Sequence, residues 1–190
     1  MATTQSIRKK AHVRRLAAYY LKRGQLRNHL LIVLGLFTAL RISDILRLKW
    51  EDVYDFERGA VRESLQIMEK KTGKFKLIAL NKDVVSALRL FAANNAEKGG
   101  FLILNPLSRK AISRIQAYRV IRAAGEALKL ESRVSCHSLR KTFGYHAFMY
   151  GASSVVLMDI YNHSSFDVTK RYIGVTQDDK DAVYLGLSFA

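Results

Sequence analysis

Four residues late in the chain are of types that handle phosphate. In Ser135-Cys136-His137-Ser138-Leu139-Arg140, His137 and Arg140 stand at i and i+3 on one side of a helix start, where both can reach one anion. Alone the pair says little, because helices exposing a histidine and an arginine are common. His163 follows 26 residues after His137, and Tyr172 nine residues after that, beside Lys170 and Arg171. A tyrosine near a helix end among basic residues could attack a phosphorus. Other candidates read more simply. Tyr145, Tyr150 and Tyr161 have apolar neighbours at helical spacing and are expected in the core, His12, His29 and His146 lack motif partners, and Cys136 reads as a packed thiol.

The elements that must position these groups are mostly helical. Residues 6–23 carry Val13, Leu16, Ala17, Tyr20 and Leu21 at helical spacing, closed by Gly24. Asn28 is expected to cap a second helix whose Leu30, Leu31, Val33, Leu34, Leu36 and Phe37 are apolar nearly all round, as in a buried central helix. Ser43 should cap a short third helix with Asp44 in its first turn, leaving Arg41 in the bend between two helices. After Trp50 the period changes. Residues 52–54, 60–68 and 75–80 read as strands separated by turns at Glu57-Arg58-Gly59 and Lys71-Thr72-Gly73-Lys74. Helical pattern returns at 82–95, 109–128, 138–149 and in short pieces over 153–172, with Pro106 in a turn. The expected fold class is α+β, mainly α: one helical domain with a small three-stranded antiparallel sheet inserted near the N-terminal third.

Charge indicates the partner. The 190 residues include 32 Lys+Arg against 16 Asp+Glu, a net charge of +16, which seeks a polyanion. Residues 1–43 hold nine basic residues and no acid, among them Arg8, Lys9, Lys10, Arg14 and Arg15; a second acid-free stretch, 98–125, holds Arg109, Lys110, Arg114 and Arg119. Two separated stripes suggest two faces of a groove. Hydrophobic residues at 49% and charged residues at 25% fit a globular chain with a real core. No apolar run reaches the roughly 18 residues a membrane helix needs, and Arg14 and Arg15 interrupt any signal-peptide pattern. A cytoplasmic protein is expected. The single Cys136 excludes an intrachain disulfide and a multi-cysteine zinc site.

With Thr38-Ala39-Leu40-Arg41-Ile42-Ser43-Asp44-Ile45-Leu46-Arg47-Leu48-Lys49-Trp50 added, the chain resembles the tyrosine recombinase (phage integrase) family over about residues 30–173. The resemblance implies a catalytic set of Arg41, Lys71 in Lys71-Thr72-Gly73, His137, Arg140, His163 and the nucleophile Tyr172. Two guanidinium forks, Arg41 and Arg140, suit the non-bridging oxygens of a phosphodiester. The family assigns protonation of the leaving 5′ oxygen to the turn lysine, Lys71, with Lys70 and Lys74 as rivals in the same turn. It gives His137 a part in proton transfer and His163 a hydrogen bond to the phosphate.

The implied function is site-specific recombination through a 3′-phosphotyrosyl intermediate and a Holliday junction, with no metal and no cofactor. The implied partners are double-stranded DNA target sites, a homo-oligomer, as a tetramer on DNA, and accessory DNA-bending proteins. The expected layout is a basic arm at 1–29, a catalytic domain at 30–174, and a tail at 175–190 that packs on a neighbouring protomer. The prokaryotic nucleoid, a phage or another mobile element is the implied setting. The rival readings are a type IB topoisomerase, which shares the residue set, and a non-catalytic DNA-binding protein on the same scaffold. Two departures stand out. Tyr161-Asn162-His163 replaces the common Leu-Gly-His, and only a short basic segment precedes the central helix, as in small members such as the fimbrial-switch invertases or in a catalytic fragment.

Overall fold

The structure, a computed structural model, describes residues 4–95, 98–130 and 133–188. Its core forms around α2 (Leu26–Phe37), where every residue from His29 to Leu36 is buried. Leu30, Leu31 and Leu34 are fully enclosed, each contributing about 1.5–3 kcal/mol of burial. Around it pack α1 (Lys10–Tyr19), α5 (Lys82–Ala93), α6 (Arg114–Ala127) and α7 (Cys136–Met149). The approach of α7 is close because α2 has Gly35 at the crossing, where a Cβ would collide with Leu139. The remaining helices are the short α3 (Ile42–Ile45) and α4 (Trp50–Val53), then α8 (Ser154–Tyr161), α9 (Phe166–Ile173) and α10 (Gln177–Gly186).

The mainly helical fold with a small antiparallel insertion is as the sequence predicts, but the insertion is two ladders rather than one three-stranded sheet. β1 (Tyr54–Asp55) pairs with β2 (Ala60–Val61), and β3 (Ser64–Met68) pairs with β4 (Phe75–Ala79), with Leu65 opposite Ile78. The expected strand at 60–68 breaks at Arg62 and Glu63, whose backbones bond to Val53 and Leu80 instead. Asp52 and Val53 are helical rather than extended, because the Asp52 carboxylate accepts from the Lys49 N–H at 2.7 Å and closes a turn.

Helix starts also differ from expectation. Gly24 in the left-handed region ends a 3-10 turn at Leu21–Arg23, so α2 begins at Leu26 and Asn28 lies inside it. Arg41, not Ser43, occupies the N-cap position of α3, since the N–H groups of Asp44 and Ile45 bond to the Arg41 carbonyl. Residues 6–9 are not helical. Ile7 is buried, its N–H donates to Thr142 Oγ1 at 2.8 Å, and its carbonyl meets His146 Nε2 at 2.9 Å. The helix expected from 109 starts at Arg114, where Ser113 and Gln116 form a capping box. Tyr145 and Tyr161 are buried as expected, but Tyr150 is 93% exposed because α7 ends one residue earlier.

Candidate active site

Three helix boundaries and one hairpin surround a common point. The first boundary is the corner between α2 and α3. Thr38 closes α2 by donating from its hydroxyl to Leu34 O, and Ala39 turns the chain with φ of 54°, fully buried. A left-handed non-glycine residue costs about 1–2 kcal/mol. Here the turn presents the Ala39 carbonyl inward and starts Arg41 two residues later.

The second boundary is the start of α7, capped by Ser135 through the Ser138 N–H. Arg140 is 2% exposed. Its Nη1 donates to Ala39 O and its Nη2 to Tyr161 O at 3.2 Å, while buried Nε has no hydrogen-bond partner among the described residues. A buried guanidinium N–H without a partner is costly, so this atom is suited to receive an anion. Tyr161 lies beneath it, with the Arg140 Cζ 4.7 Å from the ring centroid and the Tyr161 hydroxyl donating to Arg140 O at 2.8 Å. Gly144 makes room for this ring, since a Cβ there would collide with the Tyr161 hydroxyl.

The third boundary joins α8 to α9. Asn162 caps α8 in the left-handed region, and His163 then stacks on Tyr161 at 5.1 Å and meets Thr169 Oγ1 through Nδ1 at 3.0 Å. Tyr172 is on the last turn of α9, closed by Gly174. Its hydroxyl is 3.0 Å from His137 Nδ1, its ring centroid is 5.0 Å from that of His163, and Arg140 Cζ lies 5.8 Å from that centroid. Arg41, His137, Arg140, His163 and Tyr172 therefore converge, although they span more than 130 residues of chain.

Electrostatics follow from this crowding. Burial pushes the Tyr172 phenol above its ordinary pKa, while Arg140 and Arg41 pull it the other way. Desolvation, then Lys141, Arg140 and Arg41, lowers His137, although the residue as a whole stays exposed. His163 is lowered to about 4 by desolvation and by Arg140, Arg41 and Lys76. It is thus a neutral imidazole at neutral pH.

The hairpin contributes differently from expectation. Lys71 lies in the exposed β3–β4 turn, and among the described residues its side chain makes no hydrogen bond or ion pair; Lys70 and Lys74 are exposed too. The lysine that enters the cluster is Lys76 on β4, with a side chain 11% exposed and Nζ bonded to Glu69 Oε1 at 3.2 Å and to Ile160 O. Glu69 is completely buried and lies 2.9 Å from Arg41 Nη1, an ion pair outside hydrogen-bond geometry. Burial alone would raise this carboxylate, but hydrogen bonds from Asn162 and Thr72 and the Lys76 charge bring it down to about 2. Sequence reasoning singled out neither Glu69 nor Lys76. The available signal was a lone acid among Lys70, Lys71, Lys74 and Lys76.

Of the basic residues expected to bind a polyanion, Lys10, Arg14, Arg15, Lys110, Arg114 and Arg119 are exposed. Arg8 is occupied internally. It donates to Gly174 O at 2.5 Å and Thr176 Oγ1 at 3.0 Å, and pairs with Asp179 at 3.3 Å. Lys9 and Arg109 are also exposed, each with an interaction of its own.

Known proteins resemble this chain in sequence and in fold. The model of the phage integrase family matches residues 7–178. The chain is 36% identical over 184 residues to the probable integrase/recombinase YoeC of Bacillus subtilis, covering 97% of each. It shares its fold with the crystal structure of XerA recombinase (TM-score 0.78, 17% identity, 98% of this chain and 65% of that one). A second neighbour is XerH bound to a palindromic difH substrate in a post-cleavage complex (TM-score 0.72, 20% identity, 98% of this chain and 54% of that one). The chain thus spans nearly all of YoeC but about half the length of curated Xer relatives such as XerA of Pyrococcus furiosus (52%) and XerC of Halalkalibacterium halodurans (54%). The chain belongs to the phage integrase family and carries its tyrosine recombinase catalytic domain.

Proposed function

We propose that this protein is a site-specific DNA recombinase that breaks and rejoins duplex DNA through Tyr172. The observation that carries the reading is the convergence of Tyr172 with His137, His163, Arg140 and Arg41, with the phenol oxygen 3.0 Å from His137 Nδ1. Arg140 Nε and the exposed part of Arg41 are available to the non-bridging oxygens of a phosphodiester, whose charge grows in attack. Tyr172 Oη attacks phosphorus as its proton passes to His137, which its lowered pKa keeps neutral at pH 7. The bond from phosphorus to the 5′ oxygen breaks, and that oxygen takes a proton from Lys71. The strand remains on Tyr172 as a 3′-phosphotyrosine until a second 5′ hydroxyl reverses the step, and two such rounds pass through a Holliday junction.

Exposed Lys10, Arg14, Arg15, Arg114 and Arg119 supply the charge that holds the duplex. In this reading residues 1–29 grip DNA, 30–174 carry the chemistry, and 175–190 reach a neighbour within a tetramer on paired sites. Val183, Leu185 and Leu187, 61%, 87% and 61% exposed around α10, support that last part. Accessory DNA-bending proteins belong to the same proposal.

The test uses nicked suicide duplexes selected from a random-sequence pool for binding to this protein. Wild type should become covalently attached to DNA and Tyr172→Phe should not. Equal yields from the two would refute the assignment.

A further inference from the structure

The buried carboxylate of Glu69 is the one acidic group that touches the cationic cluster among the described residues, and it joins segments far apart in sequence. Its Oε2 accepts from Asn162 Nδ2 at 2.7 Å and from Thr72 Oγ1 at 2.8 Å, and lies 2.9 Å from Arg41 Nη1. Its Oε1 accepts from Lys76 Nζ at 3.2 Å. One side chain therefore ties the α2–α3 corner, the turn and second strand of the β3–β4 hairpin, and the α8–α9 junction one residue before His163.

Two roles are open to an acid beside a phosphate clamp: competing with the phosphate, or bracing the clamp. Burial decides between them. The Glu69 side chain is 0% exposed and Arg41 is 22% exposed, so the carboxylate stands behind the guanidinium and leaves the solvent side free. A competitor would occupy the open face. Nor does Asn162 serve only its left-handed backbone, with φ of 52°. Glycine would adopt that conformation more readily, whereas the Asn162 amide adds a bond spanning 93 residues of sequence.

We infer that Glu69, with Asn162, is a positioning group that fixes the Arg41 fork and the His163 backbone relative to one another and ties the Lys71 turn to both. This rests on the recombinase reading above, because it concerns the alignment of the same phosphate site. Small misplacement of clamp groups typically costs on the order of a hundredfold in rate without comparable loss of binding, and duplex affinity is spread over many phosphate contacts.

Single-turnover cleavage of the selected nicked duplex, with binding to its intact form followed by fluorescence anisotropy, compares wild type with four variants. These are Asn162→Gly, Glu69→Gln, Arg41→Ala and the double variant Glu69→Gln/Arg41→Ala. Asn162→Gly keeps the backbone conformation and removes only the amide, so it should slow cleavage by about tenfold. Glu69→Gln should slow it by about ten- to a hundredfold, with duplex affinity within about twofold of wild type. The double variant should lose clearly less than the product of the two single losses, since much of the brace acts through the arginine.

Cleavage by Glu69→Gln at or above the wild-type rate overturns the inference, as does a loss that multiplies in full with that of Arg41→Ala. Should Glu69→Gln fail to fold, Asn162→Gly decides alone, and a wild-type rate there overturns it. A wild-type protein that forms no covalent complex removes the recombinase reading and this inference with it; a reactive wild type with unaffected variants removes this inference only.

Discussion

On its helical side, the site is held together by the protein's own contacts. Arg140 is enclosed, bonded to two carbonyls and stacked over Tyr161, and Tyr172 already touches His137. On the hairpin, Lys71 stands in solvent at a turn without a side-chain partner among the described residues, five residues from Lys76, which is fixed within the cluster. The groups that would receive charge are thus held by burial, while the group assigned to deliver a proton is left to be placed by what binds. The difference has a physical logic. Electrostatic stabilisation gains from dipoles and charges that need no rearrangement, whereas a lysine buried near Arg41 and Arg140 would lose its proton too easily, as the lowered pKa of Lys76 illustrates.

The contrast can be broken most severely at Arg140. Arg140→Ala should abolish cleavage and lower unfolding free energy by about 3 kcal/mol, because it strands two buried carbonyls; urea denaturation together with the covalent-complex assay measures both. Duplex affinity should largely survive. At Lys71 the two readouts should separate. Lys71→Ala should leave stability within about 0.5 kcal/mol yet slow cleavage by about a hundred- to ten-thousandfold. Placing sulfur at the bridging 5′ position, where the leaving thiolate needs no proton, should restore most of that rate. A variant that stays slow on the sulfur substrate would show that Lys71 is not the acid.

A gentler probe acts on packing beneath the arginine. Gly144→Ala pushes a methyl into the Tyr161 hydroxyl and should cost about 1–3 kcal/mol, measured as a shift in the denaturation midpoint, with cleavage reduced alongside. The smallest expected effect is on pH. His163 has its pKa lowered from 6.5 to about 4, so the unfolded chain binds its proton first. Stability should fall as pH drops from about 6.5 towards 4 and lose this dependence below, and His163→Gln should flatten that window in pH-resolved denaturation. An unchanged slope in the variant would show that the native His163 titrates like a solvated imidazole.

Five of the six residues expected in the catalytic set, Arg41, His137, Arg140, His163 and Tyr172, come together near helix boundaries, where residue type and spacing carry information. Arg41 follows a long apolar helix, His137 and Arg140 follow a serine cap, and Tyr172 precedes a glycine in the left-handed region. The hairpin was less legible. Whether a charged side chain in a short strand is buried depends on what packs over it from elsewhere, and Glu69 and Lys76 are covered by Arg41, Asn162 and Ile160, none of them local. The strand expected at 52–54 begins only at Tyr54 for a local reason, as the Asp52 side chain outcompeted the extended preference of its neighbours. Tyr150 shows the same limit at a helix end. Helical spacing continued the apolar face by one residue beyond Met149, where α7 ends just before Gly151 turns the chain away.

Ala39 has a mechanical consequence. Its carbonyl anchors the Arg140 fork, and Arg41 begins only two residues further along the same backbone. The gap between the two guanidiniums is therefore gauged largely by covalent geometry, as in a calliper whose jaws share one pivot. Thermal breathing between α2 and α7 should move both jaws together, so the grip keeps its width while the frame around it flexes.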